Sequence, residues 1–357
     1  MNDKGVDATV SRSMIDQTVT FVVATYNRPD TLLVALRSVQ QQTEGDWKVL
    51  VVGDACSPET GDAVKSLADP RIQYINLRQR FGHQSGPNSV GSLLATSTLL
   101  AYLNHDDILL PDHLARARVA LRSGGDFFVG AALFAENNYK DAIESRVPLF
   151  LERSRRDMMP VDAFNPGANL FEPASAWVFR RHLWERVGIW VHPRQTFRSP
   201  LQDFIMRIWR ANARFTFGDL PTVLKIVTFR TTEAGGTYAV RSPQHSSLAQ
   251  ILAGKSADEQ REIALAATGL PREVPRMRRR PNPLSRLGDR VIFNAVARAL
   301  YLQTGIDTIS VYGRMLGRTP GRAYGEMVTR RTTLQLPSAL GYEAQVADAV
   351  QQFRSRI

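Results

Sequence analysis

LLAYLNHDDILL, residues 99–110, is apolar at both ends and polar in the middle. Its first five residues stop abruptly at Asn104, His105, Asp106 and Asp107, and the chain turns apolar again before Pro111. A run this short and this uniformly apolar reads as a buried parallel strand. Carboxylates at its end then lie on the sheet edge where open α/β folds bind ligands. Upstream the same design repeats. Residues 18–25 (TVTFVVAT) are rich in β-branched side chains and read as the first strand. Tyr26, Asn27 and Arg28 lead into Pro29, which suits a first helical turn because its missing N–H is an orphan there anyway. Leu32, Leu33, Leu36 and Val39 stripe that helix, which should end near Thr43. Residues 47–52 (WKVLVV) form a second strand ending at Gly53, Asp54 and Ala55, 59–68 a second helix, and 71–77 a third strand. The Gly- and Ser-containing stretch 78–91 reads as a loop, with a third helix from there to Thr98. Alternating strands and helices imply right-handed crossovers and a mainly parallel, Rossmann-like α/β sheet flanked by helices.

Downstream, 111–123 reads as a helix, 126–134 as a strand, 136–173 as a loop-rich insertion, 175–179 (SAWVF) as a strand and 181–187 as a short helix. A helix over 202–213 follows Ser199 and Pro200, and Phe215 and Phe217 with 223–229 read as an antiparallel pair closing the sheet. The catalytic-type domain is thus expected over 18–235, after a frayed segment at 1–17. Region 236–357 changes character, with helices expected at 246–254, 257–268 and 287–303 around an Arg- and Pro-rich linker at 271–283. Pattern assigns nothing to the basic, turn-rich stretch 313–336.

With 43% hydrophobic and 22% charged residues, the 357-residue chain is of ordinary globular composition. Cys56 is the single cysteine, which excludes an intramolecular disulfide. Segment 1–17 lacks a signal-type apolar run, and no stretch reaches the roughly 18 apolar residues that span a bilayer. A cytoplasmic location is expected, with peripheral attachment to the inner membrane face as an option. The net charge of +11 is concentrated late: from Pro271 onward fifteen Arg face six acidic residues, a net +9. Val291, Ile292, Ala295, Val296, Ala299 and Leu300 give the expected helix at 287–303 an apolar face beside Arg286, Arg290 and Arg298. Such a helix suits an anionic membrane surface, and equally packing on the domain or on a second subunit.

At the sheet edge, Asp106 and Asp107 with Asn104 offer oxygen ligands to Mg²⁺ or Mn²⁺, which would bridge two phosphates; the alternative is that the carboxylates cap a turn. Asp54 shares that edge and can accept a bond from a base N–H, while Tyr26 offers a stacking face. The turn FGHQSGPNSVG (81–91) can turn backbone amides toward an anion or simply join strand to helix. It lacks a Walker ending. Arg78 and Arg80 are phosphate partners on charge grounds, and Trp184 and Trp190 can stack on sugars or fill a core.

Taken in order, TVTFVVATYNRPDTLLVALRSVQQQT, WKVLVVGDACS, SGPNSVG and AYLNHDDILLPDHL resemble the family 2 glycosyltransferases of the GT-A fold, over about residues 18–235. The resemblance implies an inverting transfer from a nucleotide-diphosphate sugar, UDP first among the bases, to a saccharide or lipid-linked acceptor, as in surface polysaccharide or glycolipid assembly. By that similarity Thr25, Tyr26 and Asp54 hold the nucleoside, with Arg28 and Asn88 beside them on the donor side. Asp106 is the metal ligand of the family's Asp-x-Asp motif, whose first position is here Asn104, a neutral and weaker ligand. The family's Arg-Asn pair after the third strand is replaced by Asn88 and Ser89, so its diphosphate contacts do not carry over. Asp203 is the implied general base, with Gln202 in place of the common Glu; Trp177 and Gln202 are the acceptor-side candidates. Without the resemblance, Asp203 reads as a carboxylate favoured at a helix N-terminus by the macrodipole. A rival reading is a nucleotidyltransferase on a similar scaffold, which would need a basic Gly-rich signature after the first strand. Another is a basic adaptor binding anionic lipid or nucleic acid through its tail. The transferase reading expects no nucleic-acid partner and leaves a homo-oligomer open.

Overall fold

The computed structural model describes residues 18–136, 149–153, 173–196, 199–226, 243–266 and 338–355, with short pieces at 231–232, 238–239, 303–304, 314–315 and 319–320. Segment 1–17, most of the expected insertion, the linker at 271–283, nearly all of the helix expected at 287–303 and most of 313–336 lie outside the described residues.

The first half follows the expected alternation: β1 (Val19–Thr25), α1 (Pro29–Gln40), β2 (Trp47–Gly53), α2 (Pro58–Lys65), β3 (Ile72–Asn76), α3 (Ser85–Leu94) and β4 (Leu99–Tyr102). These strands lie parallel in the order β3-β2-β1-β4. Helices on both faces explain why β1 and β2 are apolar almost throughout. α1 is tied to the far side of the sheet by Gln42, whose Nε2 donates to the Leu110 carbonyl while its Oε1 accepts from the Leu114 N–H.

The second half comprises β5 (Asp107–Leu109), α4 (His113–Arg122), β6 (Phe127–Glu136), β7 (Leu149–Arg153), β8 (Trp177–Arg180), α5 (Arg181–Val187), α6 (Pro200–Arg210) and β9 (Phe215–Ile226). The sheet continues β4-β8-β6-β9-β5, with β7 paired to β6. Here the pairing is mixed: β8 runs antiparallel to β4 and β6, β5 antiparallel to β9, and β6 parallel to β9.

Three expectations are corrected. β9 is one strand rather than an antiparallel pair: Pro221, whose missing N–H reads as a break, sits where the β6–β9 register shifts and is absorbed by the irregularity. α3 begins inside the stretch read as a loop, because Gly86 and Gly91 let it lie close against its neighbours. The insertion contains a strand, β7.

Beyond the sheet come α7 (Pro243–Leu252), α8 (Ala257–Ala266) and an unanticipated α9 (Tyr342–Phe353). Leu248, Leu252 and Ala264 pack on Ile108, Leu133 and Leu224, so the helices after 236 complete a core of the sheet domain.

Candidate active site

The carboxyl ends of β2, β1 and β4 bring three groups of polar residues to one edge. At the end of β1, Thr25 is buried, with its hydroxyl Oγ1 unpartnered. Tyr26 follows, half-buried, with the Arg80 guanidinium 4.0 Å over its ring centroid. Asn27 takes a positive φ of 46°, a conformation Asn adopts more readily than most residues, and its Oδ1 accepts the Ser57 N–H from across the edge. This kink turns Arg28 inward, where Nη1 lies 3.5 Å from Asp106 Oδ2.

At the end of β2, Asp54 accepts N–H bonds from Phe81 (2.6 Å) and Gly82 (2.8 Å). Burial pushes its carboxyl up to about 6, against the pull of those two N–H groups and Arg80. Its oxygens therefore hold the 81–82 turn, which leads to α3. Asn88 lies inside α3 and is buried rather than displayed on the loop.

After β4 the two adjacent aspartates differ in setting, Asp106 in the turn and Asp107 at the start of β5. Asp107 opens β5 and is fully buried, accepting from Asn104 Nδ2 (2.7 Å), Ser175 Oγ (2.6 Å) and Lys225 Nζ (2.9 Å). Asp106 keeps 15% of its side chain exposed, with Lys225 Nζ 3.6 Å from Oδ1 and Arg28 on Oδ2. Its backbone carbonyl accepts from His245 Nε2 at 2.8 Å. Burial disfavours the Asp106 charge, yet Lys225, His105, Arg28 and His245 together hold the carboxyl well below the usual carboxylate range. Burial works against the Lys225 charge as well, and the two aspartates more than offset it.

Asp203 stands in the first turn of α6, whose start is fixed by a reciprocal cap: Ser199 Oγ accepts the Gln202 N–H, and Gln202 Oε1 accepts the Ser199 N–H. Gln202 is thus a capping residue in this structure. Asp203 Oδ2 accepts from Arg207 Nε at 2.8 Å, and Arg207 also donates to the Val187 and Ile189 carbonyls. That arrangement fixes the carboxylate while leaving it 23% exposed.

The tryptophans are core. Trp177 has no exposed surface; it stacks on Phe204 at 6.2 Å and Trp190 at 6.3 Å, and so cannot meet an acceptor as expected. Trp190 donates from Nε1 to the Tyr102 hydroxyl, and Trp184 is buried beside it in the same core. Three site residues were missed, namely Ser175, Lys225 and His245. A signal for one existed: Lys225 is the single charge in the otherwise apolar run 223–227.

The profile of Glycosyl transferase family 2 matches residues 20–188. Residues 20–188 are a family 2 glycosyltransferase domain. The chain is 37% identical over 98 residues to the succinoglycan biosynthesis protein ExoO of Rhizobium meliloti, covering 28% of each protein. It is 27% identical over 126 residues to the Escherichia coli UDP-Glc:alpha-D-GlcNAc-diphosphoundecaprenol beta-1,3-glucosyltransferase WfgD, covering 35% of this chain and 49% of that protein. The chain thus spans less than half the length of these curated relatives. Among solved structures, S. aureus TarS 1-349 in complex with UDP-GlcNAc aligns over 95% of this chain and 92% of its own, at 15% identity and a TM-score of 0.49.

The family 2 domain does not arrange its Asn104–Asp106 pair as a divalent-metal site. Asn104 gives its amide to Asp107, and Asp107 accepts from three protein donors. Each Asp106 oxygen already faces a protein cation, Lys225 or Arg28. Among the described residues no group of three His, Cys, Asp or Glu side chains is placed to hold a metal. Nor, among them, is any helix long and apolar enough to cross a membrane.

Proposed function

We propose that the chain transfers a sugar from a nucleotide-diphosphate sugar to an acceptor hydroxyl with inversion at the anomeric carbon. The observation that carries this reading is the family 2 match over the strands β1, β2 and β4, whose carboxyl ends gather Tyr26, Arg28, Asp54 and Asp106. Tyr26 stacks on the base, its ring already paired with the Arg80 guanidinium, which belongs beside a phosphate. The unpartnered Thr25 hydroxyl and the turn gripped by Asp54 shape the nucleoside side. Asp203 takes the proton of the acceptor hydroxyl as its oxygen attacks the anomeric carbon; the bond to the diphosphate breaks and the nucleoside diphosphate leaves. The acceptor is a saccharide or lipid-linked saccharide, in keeping with the succinoglycan-biosynthesis and diphosphoundecaprenol-glucosyltransferase names of the relatives.

A thermal-shift panel of UDP-, GDP- and dTDP-sugars identifies the donor, and release of nucleoside diphosphate measures turnover. Asp203→Asn should lower turnover by about 10²- to 10⁴-fold while leaving donor affinity within about twofold. Undiminished turnover removes Asp203 from the mechanism, and pyrophosphate as product replaces sugar transfer with nucleotidyl transfer.

A further inference from the structure

Lys225 takes no part in the reading above, although it is the best-connected cation in the site. It is placed by the sheet. In the antiparallel β5–β9 ladder Asp107 lies directly opposite Lys225, and the next pair, Ile108 with Leu224, is buried in the core. A cross-strand partner locked in this way cannot drift from the carboxylates. Nζ lies 2.9 Å from Asp107 Oδ1 and 3.6 Å from Asp106 Oδ1, while 23% of the side chain stays open to solvent. Of the three ammonium N–H donors one is given to Asp107, while Asp106 is held as an ion pair at 3.6 Å, so the ammonium keeps donor capacity for a ligand. Arg28 approaches the other oxygen of Asp106 from the end of β1.

The geometry points to Lys225, seconded by Arg28, as a built-in cation of the donor site that contacts the diphosphate in place of a divalent metal. The charge count supports the substitution. Two carboxylates and two monovalent cations sum to zero, as two carboxylates and one divalent ion do. A metal entering between Asp106 and Asp107 would have to displace an ammonium already held by both. As the anomeric carbon–oxygen bond breaks, its electron pair passes to the diphosphate, and a fixed ammonium beside that oxygen offsets the growing charge without reorganising. This inference rests on the sugar-transfer reading, because it needs a diphosphate in the site.

The test is calorimetric titration of the full chain with UDP, GDP and dTDP, in EDTA and again with Mn²⁺. The wild-type protein should bind its nucleotide in EDTA and gain little from Mn²⁺. Lys225→Met should lose about tenfold or more in EDTA, the scale of a charged hydrogen bond, and become Mn²⁺-dependent as Asp106 is freed; Lys225→Arg should restore binding in EDTA. A purely structural Lys225 would lower the melting temperature without altering the metal dependence, so that result overturns the inference. If Lys225→Met melts too low to titrate, Arg28→Met carries the test: a loss of about tenfold in EDTA supports the built-in cation, and unchanged affinity overturns it. Wild-type binding that EDTA abolishes and Mn²⁺ restores rejects the inference and leaves sugar transfer standing. Failure of every nucleotide to bind with or without Mn²⁺ removes the sugar-transfer reading and the inference together.

Discussion

Asp54 accepts two backbone N–H bonds and still titrates near 6, so burial governs its proton. The unfolded chain loses that proton near 3.8, the native protein only near 6. Between those values the native state holds more protons than the unfolded one, so stability from this residue falls as pH rises through the window. Two units correspond to about 3 kcal/mol at most. Unfolding free energies of wild type and Asp54→Asn, measured at pH 4 and pH 7, should show a wild-type loss of up to about 3 kcal/mol that the variant lacks. Parallel pH profiles would mean that the two N–H bonds, not burial, set the proton affinity. At this scale the sequence was informative wherever a residue ends a strand. Thr25, Tyr26, Asp54 and Asp106 all lie on one edge because strand ends are easy to read and parallel strands align them. What each carboxylate binds was not legible. Asp54 is occupied by a turn 27 residues away and Asp107 by a lysine 118 residues away, partners that only the tertiary fold supplies.

α3 shows how an element can be misread from composition and still be specified by packing. SGPNSVG has the residues of a loop, but Gly91 faces β1, and a Cβ there would lie 2.4 Å from Val22 Cγ1 and 3.1 Å from Val52 Cγ2. The glycine is a condition for close helix–sheet contact rather than a break. Gly91→Ala gains about 0.5–1 kcal/mol of helix propensity and incurs about 1–3 kcal/mol of overpacking. The net expectation is destabilisation by about 1–2 kcal/mol, read as a lower urea midpoint at unchanged slope. A raised midpoint would show that α3 can shift away from β1 at little cost. Longer-range context also explains β9, where Pro221 reads as a break and the β6 partner strand accommodates it. α5, by contrast, was read residue for residue at Arg181–Val187, because a local apolar spacing sufficed.

For the whole molecule, the consequential element is α9, the last helix of the chain. It carries Glu343 and Asp348 and no basic residue, so it does not share the arginine character of the region before it. Tyr342, Val346, Val350 and Phe353 are buried against Leu50, Ile75, Leu77, Phe81 and Leu94, which closes the outer face of the β2–β3 side. Tyr342 donates its hydroxyl to the Trp190 carbonyl at 2.9 Å and meets the Phe81 ring edge-on at 5.9 Å. Phe81 is the residue whose N–H Asp54 holds, so the end of the chain braces the same turn from behind that β2 grips from the front. The end of the tail is therefore part of the domain's core, whatever surface the arginines meet. Such a brace couples Phe81 and Tyr342 energetically. Unfolding free energies of Phe81→Ala, Tyr342→Ala and the double variant should give a coupling of about 0.5–1.5 kcal/mol, the range of an edge-on aromatic pair. Under the proposed sugar-transfer reading the same variants should weaken nucleotide binding in parallel, since Asp54 holds the turn that leads into α3. Additive losses in stability would mean that α9 covers the core without holding the turn, and the link between the chain's end and its active edge would be lost.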